Sequence, residues 1–398
     1  ANQIAQMGTI FSRIQSWLDE NRNSLLSRFS TDEQETQEPE RSLTELPSSI
    51  ASKLISAVDE LPIDNPDLEA IQSSLDEAFE KWRNNPEVAD NSLVILSSPV
   101  TTVSRILTES LEDWASEKQI ILRPLKWICR PQEVENIANK LRQQLGRGTL
   151  TANSKEPEIV VIPNLSWCFL CSVDGLEGID YLQDVLLQDN SRFWVIGAGE
   201  VGWEYLNHVS HFKAYCGESL ELPQLNPEQL QAWFEPVISE FEITFAKPNI
   251  EFPNSDENQS YQNRYFSRLA SISEGVNTVA AQVFLHSMCY EDKEKDDEEK
   301  DKNAGVLEAQ NPELPNLPRL DADEHYILYS VLLHGDLTLT ALCESLGDER
   351  PFVKGRVLML RRKGLIEQKN GILTIYPIHY PRIKNELSNN NFIIYESD

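Results

Sequence analysis

The chain has 398 residues, of which 40% are hydrophobic and 25% charged, with a formal net charge of −29 at pH 7. This length allows two or three domains with their own cores, and the acidity opposes non-specific attraction to nucleic-acid phosphates or anionic lipid. No run approaches the ~18 apolar residues of a membrane span, and the six cysteines lie mostly in apolar runs, so we expect a cytoplasmic protein with reduced thiols.

An amphipathic pattern runs through residues 1–29. Apolar side chains repeat there every seven residues from Ile4, and others fill the companion positions, which is typical of a helix that packs on another helix. Three uses stay open: a place in the core of this chain, contact with a partner or second copy, and binding to a membrane surface. The polar residues 30–45 form a linker that isolates this helix. The candidate contact residues are Ile4, Phe11, Ile14 and Leu18.

Residues 46–246 are predicted to form an α/β domain. The first part is helical, with Asn65 as a cap and Pro66 at the first helical position. Apolar runs of strand length then alternate with amphipathic helices, which predicts βαβ units and a parallel sheet with helices on both faces. The predicted strands cover residues 92–98, 119–127, 158–170 and 192–199, with a fifth within 213–222.

The fourth of these strands ends in a glycine motif. Gly197, Gly199 and Gly202 match G-x-G-x-x-G, which dinucleotide-binding folds place in their first strand-to-helix turn. Here the motif follows the fourth strand, and Glu200 would bring a carboxylate close to the phosphates. The sequence therefore favours a tight turn after a buried strand over an NAD or FAD site. Cys168 and Cys171 form a lone C-x-x-C at the end of the third predicted strand, where residues three apart point to opposite faces, and no metal site is predicted.

The remainder of the chain is predicted to contain three segments. Residues 261–290 form a lid of two helices broken near Gly275, and residues 291–319 form an acidic, proline-rich linker. Residues 320–398 contain three helices and a hairpin whose turn includes Asn370 and Gly371. This order predicts a winged helix-turn-helix domain.

The third helix of that domain carries several basic residues. Lys354 and Arg361 lie outside the apolar stripe of the helix, where a DNA-binding winged helix contacts phosphates and base edges. Asp348 and Glu349 precede the helix, and basic residues also suit a helix C-terminus. Contact with DNA and contact with a protein both stay open for Lys354 and Arg361.

The order of elements from residue 92 resembles the AAA+ and related signal-transduction (STAND-like) ATPases of the P-loop class. In that class the loop after the first strand reads G-x-x-x-x-G-K-[ST] and holds the phosphates and Mg²⁺. This chain has neither the glycines nor the lysine there. Pro163 and Asn164 replace the acidic pair after the third strand, and the helix after Gly275 has no arginine. The residues left at the degenerate phosphate loop are Ser98, Thr101, Thr102, Ser104 and Arg105.

The resemblance implies an α/β fold with a parallel P-loop-NTPase-like sheet, flanking helices, a helical lid and a C-terminal winged helix-turn-helix. Because the hydrolytic residues are missing, we expect no catalytic residues, metal or cofactor. The preferred function is that of a non-hydrolysing regulatory or adaptor protein that binds a protein partner or itself. The alternatives are a winged-helix DNA-binding regulator and a protein that senses ATP weakly at Ser98–Arg105 without cleaving it.

Overall fold

The computed structural model describes residues 46–118, 120–146, 158–247, 257–292 and 305–394. These residues divide into two compact units. The larger contains Ile63–Pro223, Leu317–Tyr376 and the residues from Arg382, and the smaller contains the residues up to Pro62, Gln224–Asn316 and Pro377–Pro381. The predicted amphipathic helix, with Ile4, Phe11, Ile14 and Leu18, and the linker 30–45 lie outside the described residues. No helix in the described ranges has the length and apolar character of a membrane span.

The described ranges contain thirteen α-helices and eleven strands. The helices are α1 Ser48–Asp59, α2 Asn65–Asn84, α3 Val103–Lys118, α4 Ile137–Leu145, α5 Glu177–Gln188, α6 Glu200–Ser210, α7 Pro227–Glu240, α8 Glu257–Ser273, α9 Asn277–His286, α10 Ala322–His334, α11 Leu339–Leu346, α12 Arg350–Arg362 and α13 Tyr380–Asn389. The strands are β1 Ser92–Ser97, β2 Ile121–Pro124, β3 Glu158–Ile162, β4 Arg192–Gly199, β5 Glu218–Glu221, β6 Thr244–Phe245, β7 Met288–Asp292, β8 Gly305–Ala309, β9 Leu337–Thr338, β10 Ile366–Lys369 and β11 Ile372–Ile375.

A five-stranded parallel sheet forms the centre of the larger unit. Its strand order is β2-β3-β4-β1-β5, and β4 pairs with β1 from Ser92 opposite Trp194 to Ser97 opposite Gly199. All six residues of β1 are buried, as expected of a strand covered on both faces. On one face, β1, β3 and β4 pack with α2 and α3 around Phe79, whose ring lies 5.7 Å from that of Phe193. The predicted α/β fold, a parallel sheet with flanking helices, is confirmed.

Two local predictions are wrong. The cap of α2 is Asp64 rather than Asn65, because the Asp64 carboxylate accepts a 2.9 Å hydrogen bond from the N–H of Asp67. The third strand ends at Ile162, well before residue 170, since Pro163 has no N–H to donate and the Asn164 side chain caps a short 3₁₀ helix over Leu165–Cys168. Cys168 and Cys171 therefore lie beyond the strand on which they were placed.

The smaller unit contains the two predicted lid helices and a sheet that the sequence analysis missed. The helices are α8 and α9, and the turn between them includes Gly275 at φ 67°. Strands β6, β8 and β7 form a three-stranded sheet in that order, with β7 at the end of the predicted lid and β8 within the predicted linker. The core of this unit includes Phe234 and Phe284, whose rings stack at 4.3 Å. Helix α7 begins with a capping box at Asn226, and Pro227 lies in its first turn.

The C-terminal part of the larger unit has the predicted order of three helices and a hairpin. Helices α10, α11 and α12 precede β10 and β11, and β11 also pairs with the short β9. Asn370 and Gly371 connect the hairpin strands at φ 49° and 83°. Positive φ at both turn residues is the requirement of a type I′ turn, for which Asn-Gly is favoured.

Candidate functional site

The loop predicted as a degenerate phosphate-binding loop is a compact turn. It connects β1 to α3, and the N–H of Thr101 donates to the carbonyl of Ser98 at 2.9 Å. The N–H of Val103 donates to the carbonyl of Thr101 at 3.0 Å. These N–H groups are thus used inside the turn, whereas a phosphate-binding loop directs its N–H groups at the ligand. The hydroxyls of Ser97 and Ser98 are buried and have no hydrogen-bond partner among the described residues.

Ser104 and Arg105, also predicted at this loop, lie on the first turn of α3, and Thr102 immediately precedes that helix. Arg105 is exposed, and its Nε donates to the Glu109 carboxylate at 2.9 Å. The carbonyl of Ser104 accepts from the Thr108 hydroxyl, and the carbonyl of Thr102 accepts from the N–H of Arg105. Arg105 therefore forms an ordinary i,i+4 ion pair on the surface of α3.

Two of the three glycines of the G-x-G-x-x-G motif, Gly197 and Gly202, serve close packing. A Cβ at Gly197 would lie 2.5 Å from the carbonyl oxygen of Pro163 and 2.6 Å from Leu107. A Cβ at Gly202, in the first turn of α6, would lie 2.5 Å from the carbonyl oxygen of Leu333. Both positions exclude any larger side chain because backbone atoms of other segments occupy the space. Gly197 and Gly202 thus have a packing explanation that requires no bound dinucleotide.

The end of α10 covers the carboxyl edge of the central sheet. The carbonyl oxygen of Leu333 lies 2.5 Å from the position that a Cβ on Gly202 would take, so Leu333 packs against the start of α6. The carbonyl oxygen of Pro99 lies 3.7 Å from the position that a Cβ on Gly335 would take. In open α/β sheets this edge, beyond the carboxyl ends of the strands, is where ligands bind. Here backbone and side chains from residues 333–336 occupy it.

Arg130 ties this covering segment to the loop after β3. Its guanidinium is buried and donates to the carbonyl of Phe169 at 2.8 Å and to the carbonyl of Asp336 at 3.0 Å. The Asp336 carboxylate also accepts from the indole N–H of Trp167 at 3.2 Å. A buried guanidinium needs such acceptors to offset its desolvation. No local pattern in the sequence singles out Arg130, because its partners are far away along the chain.

His334 makes the second connection, as a neutral imidazole. Its Nε2 accepts a 3.0 Å hydrogen bond from the N–H of Cys171, so Nδ1 carries the proton and donates to the carbonyl of Ser330 at 2.7 Å. Burial, and after it the charge of Arg130, holds the pKa of His334 well below its usual value. The ring of Phe169 lies 5.4 Å away. His334 is thus a structural group with both nitrogens satisfied.

Helix α12 carries the predicted contact residues Lys354 and Arg361. Lys354 is exposed and has no ion pair among the described residues, and Arg361 donates to the side-chain oxygen of Gln368 at 3.1 Å. Two other cations, one on the helix and one just after its last residue, form ion pairs within the domain. Arg356 donates to Asp321 at 2.6 Å and to Asp323 at 2.8 Å, and Lys363 donates to Glu324. Only part of the predicted positive charge is therefore free for a ligand.

The same helix exposes apolar side chains that the sequence analysis did not select. Phe352, Leu358 and Met359 are 46%, 41% and 47% exposed. They lie opposite the buried stripe that contains Val353 and Leu360. Their spacing could have identified them, because apolar residues off the stripe of an amphipathic helix are expected in solvent.

No family model and no curated protein matches this chain. Among solved structures, the Thermotoga maritima RuvB Holliday junction branch migration motor is 16% identical, with a TM-score of 0.32, over 79% of this chain and 94% of that chain. Cdc6p from Pyrobaculum aerophilum is 13% identical, with a TM-score of 0.33, over 84% and 97%. The Aeropyrum pernix ORC2 protein is 11% identical, with a TM-score of 0.36, over 83% and 96%. Likeness of this size carries no argument for activity, and the fold assignment rests on the strand order and pairing described above.

Proposed function

We propose that this chain is a non-hydrolysing AAA+-like regulatory or adaptor protein that acts by binding another protein. The observation that carries the proposal is the occupied carboxyl edge of the central sheet. Where a P-loop enzyme would hold phosphates, His334 and Asp336 bond to the loop after β3, and Gly335 lies beside Pro99. A segment of the chain itself thus takes the place of a ligand.

The chemistry of the remaining side chains supports the same conclusion. Phosphoryl transfer relies on a phosphate-binding lysine, on acids that hold Mg²⁺ and on a group that orients the attacking water. The turn at Ser98 offers hydroxyls only, and Arg105 is paired with Glu109. Asn164 is neutral, and its side-chain oxygen is used by the N–H of Ser166. None of these groups can act as a general base.

The test is a measurement of ATP turnover with Mg²⁺ on the full chain. We expect no turnover above a buffer blank and no difference between the wild type and Arg105→Ala. The matched control is Arg83→Ala, because Arg83 forms a similar exposed ion pair with Glu80. Turnover that disappears in Thr102→Ala or Arg105→Ala, and persists in Arg83→Ala, would contradict the proposal. Saturable ATP binding without turnover would instead favour the ATP-sensing alternative.

A second candidate function is DNA binding through α12. The observation that favours it is the exposure of Lys354 and Arg362, which have no ion-pair partner among the described residues. A mobility shift on duplex DNA, steeply dependent on salt and lost in Lys354→Glu, would favour this role. We expect no such shift at physiological ionic strength, because the net charge of −29 opposes it.

A further inference from the structure

The outward face of α12 is an apolar strip on an otherwise charged helix. Helical spacing places Phe352, Gly355, Leu358 and Met359 on one side, opposite Val353, Val357 and Leu360 in the core. At Gly355 a Cβ would meet no atom within 4 Å, so the strip is open at its centre. Large exposed apolar side chains grouped on one helix face are typical of surfaces that bind protein. We call Phe352, Gly355, Leu358 and Met359 the α12 face.

The aromatic side chain of this face is held in position by charged neighbours. The Arg356 guanidinium lies 5.4 Å from the centre of the Phe352 ring, and two carboxylates, those of Asp321 and Asp323, hold Arg356. Asp321 in turn caps α10 by accepting from the N–H of Glu324. An aromatic ring fixed in this way loses little side-chain entropy on binding, which is the property of an interface anchor. The Phe352 ring thus lies against a guanidinium that two ion pairs hold in place.

Positive charge borders the α12 face. Lys354 and Arg362 are exposed without an ion pair in the described part of the chain, and Arg361 is paired only with an amide oxygen. Asp348 and Glu349 precede the helix, so the cations dominate from Lys354 onward. Although the chain has a net charge of −29, the side chains around the α12 face are positively charged, and this favours a ligand with negatively charged residues at its flanks.

Phosphate backbones fit this face poorly. A recognition helix in the major groove presents polar side chains and basic residues to the groove. The side chains that point outward here include Phe352, Leu358 and Met359, and two of the basic residues are used in ion pairs within the domain. An apolar strip with a basic border matches the strip of an amphipathic helix with acidic borders, which docks by its apolar positions at i, i+3, i+4 and i+7.

We infer that the α12 face is the docking site for an amphipathic helix of a protein partner, with an apolar strip and acidic flanks. The inference rests on the proposed function, because it specifies the chemistry of the partner in a protein-binding role. Phe352 and Met359 are the apolar anchors, and Lys354 and Arg362 contact the acidic flanks. The mode is helix on helix across an open surface.

The experiment is a fluorescence-anisotropy titration of the full chain with designed peptides. The probe is a labelled helix-forming peptide of about 18 residues, long enough to be helical alone, with leucine at i, i+3, i+4 and i+7 and glutamate at the flanking positions. The matched probe has lysine in place of each glutamate, and duplex DNA is the third ligand. The test variant is Phe352→Ala/Met359→Ala, and the control is Leu187→Ala, an exposed leucine of α5 in the same unit.

We expect the glutamate peptide to bind at least about tenfold more tightly than the lysine peptide. We expect about tenfold weaker binding to Phe352→Ala/Met359→Ala and unchanged binding to Leu187→Ala. Equal affinity for the two peptides, no binding of either, or tighter binding of duplex DNA would overturn the inference. A partner protein that co-purifies equally with the wild type and the double variant would overturn it too, and leave the proposed function standing. ATP turnover would contradict the proposed function and leave the titration unaffected.

Discussion

The Nε2 atom of His334 accepts a hydrogen bond from the backbone N–H of Cys171 at 3.0 Å. The two residues lie 163 positions apart in sequence, and their contact joins the C-terminal part of the larger unit to the loop that follows β3. Because protonation of Nε2 would remove this acceptor, the contact requires a neutral imidazole. The position of the covering segment is therefore linked to the protonation of one histidine.

The first prediction is a loss of stability in mild acid. The folded-state pKa of His334 is held well below its usual value, so the unfolded chain takes up a proton first as the pH falls. The contribution of neutral His334 to stability is fully present above its unfolded-state pKa of about 6.5. Below that pH the free energy of unfolding decreases by up to about 1.4 kcal/mol per pH unit for one such group. Urea unfolding from about pH 7.5 to about pH 5 measures the slope.

His334→Gln should reduce that slope, because glutamine does not titrate. Burial also lowers the pKa of His286 to about 4, so the wild type retains part of the dependence, and His286→Gln serves as the comparison. An unchanged slope in His334→Gln would contradict the assignment of His334 as a buried neutral group.

The second prediction concerns the buried guanidinium. Arg130→Met should lower the free energy of unfolding by about 2–4 kcal/mol, because the carbonyls of Ser166 and Phe169 lose a buried donor. Arg105→Met is the matched control, since its exposed ion pair with Glu109 is expected to contribute less than about 1 kcal/mol. Denaturant unfolding of both variants gives the comparison, and equal losses would show that Arg130 does not hold the covering segment.

The third prediction separates close packing from ligand binding at the glycine motif. Gly202→Ala should destabilise the chain by about 1–3 kcal/mol, because its Cβ would lie 2.5 Å from the carbonyl oxygen of Leu333. Gly355→Ala, where a Cβ meets nothing within 4 Å, should stabilise α12 by about 0.5–1 kcal/mol. Thermal unfolding measures both. A neutral Gly202→Ala together with measurable NAD binding by the wild type would restore the dinucleotide interpretation.

The fourth prediction concerns the carboxyl pair at the start of α2. Burial, with the charge of Asp64, raises the pKa of Asp67 to about 8, so the folded chain keeps a proton that the unfolded chain releases above about pH 4. This contribution to stability is therefore lost as the pH rises from about 4 to about 8. Asp67→Asn should raise the free energy of unfolding near pH 8 by about 1–3 kcal/mol.

Asp76→Asn is the control of opposite sign. Hydrogen bonds from Lys118 and Trp114 lower the pKa of Asp76 despite its partial desolvation, so the charged form is the stabilising one and its removal should weaken the fold at neutral pH. If Asp67→Asn destabilises the chain near pH 8 as Asp76→Asn does, the Asp67 carboxyl is ionised in the folded state.

Local patterns in the sequence were sufficient for most elements of the sheet. The fourth strand was predicted at residues 192–199 and β4 spans Arg192–Gly199, because a strand buried on both faces requires a continuous apolar run. The turn at Asn370 and Gly371 was predicted equally well, since few residue pairs allow positive φ at both positions. Strands β7 and β8 were missed because neither shows the alternation of a half-buried strand, and β8 lies among residues of linker composition.

The sequence by itself determined the parallel α/β fold and the absence of the glycines, lysine and acids that phosphoryl transfer needs, because residue identity and short-range periodicity carry both kinds of information. Only the tertiary structure decided what occupies the carboxyl edge of the sheet. Arg130 and Asp336 are 206 residues apart, and nothing in the pattern around either residue specifies the other. The outward direction of Phe352 and Met359 was decided in the same way, because the tertiary structure buries the opposite side of α12 in the core of the domain. Long-range packing selects among faces and partners that local patterns leave equivalent.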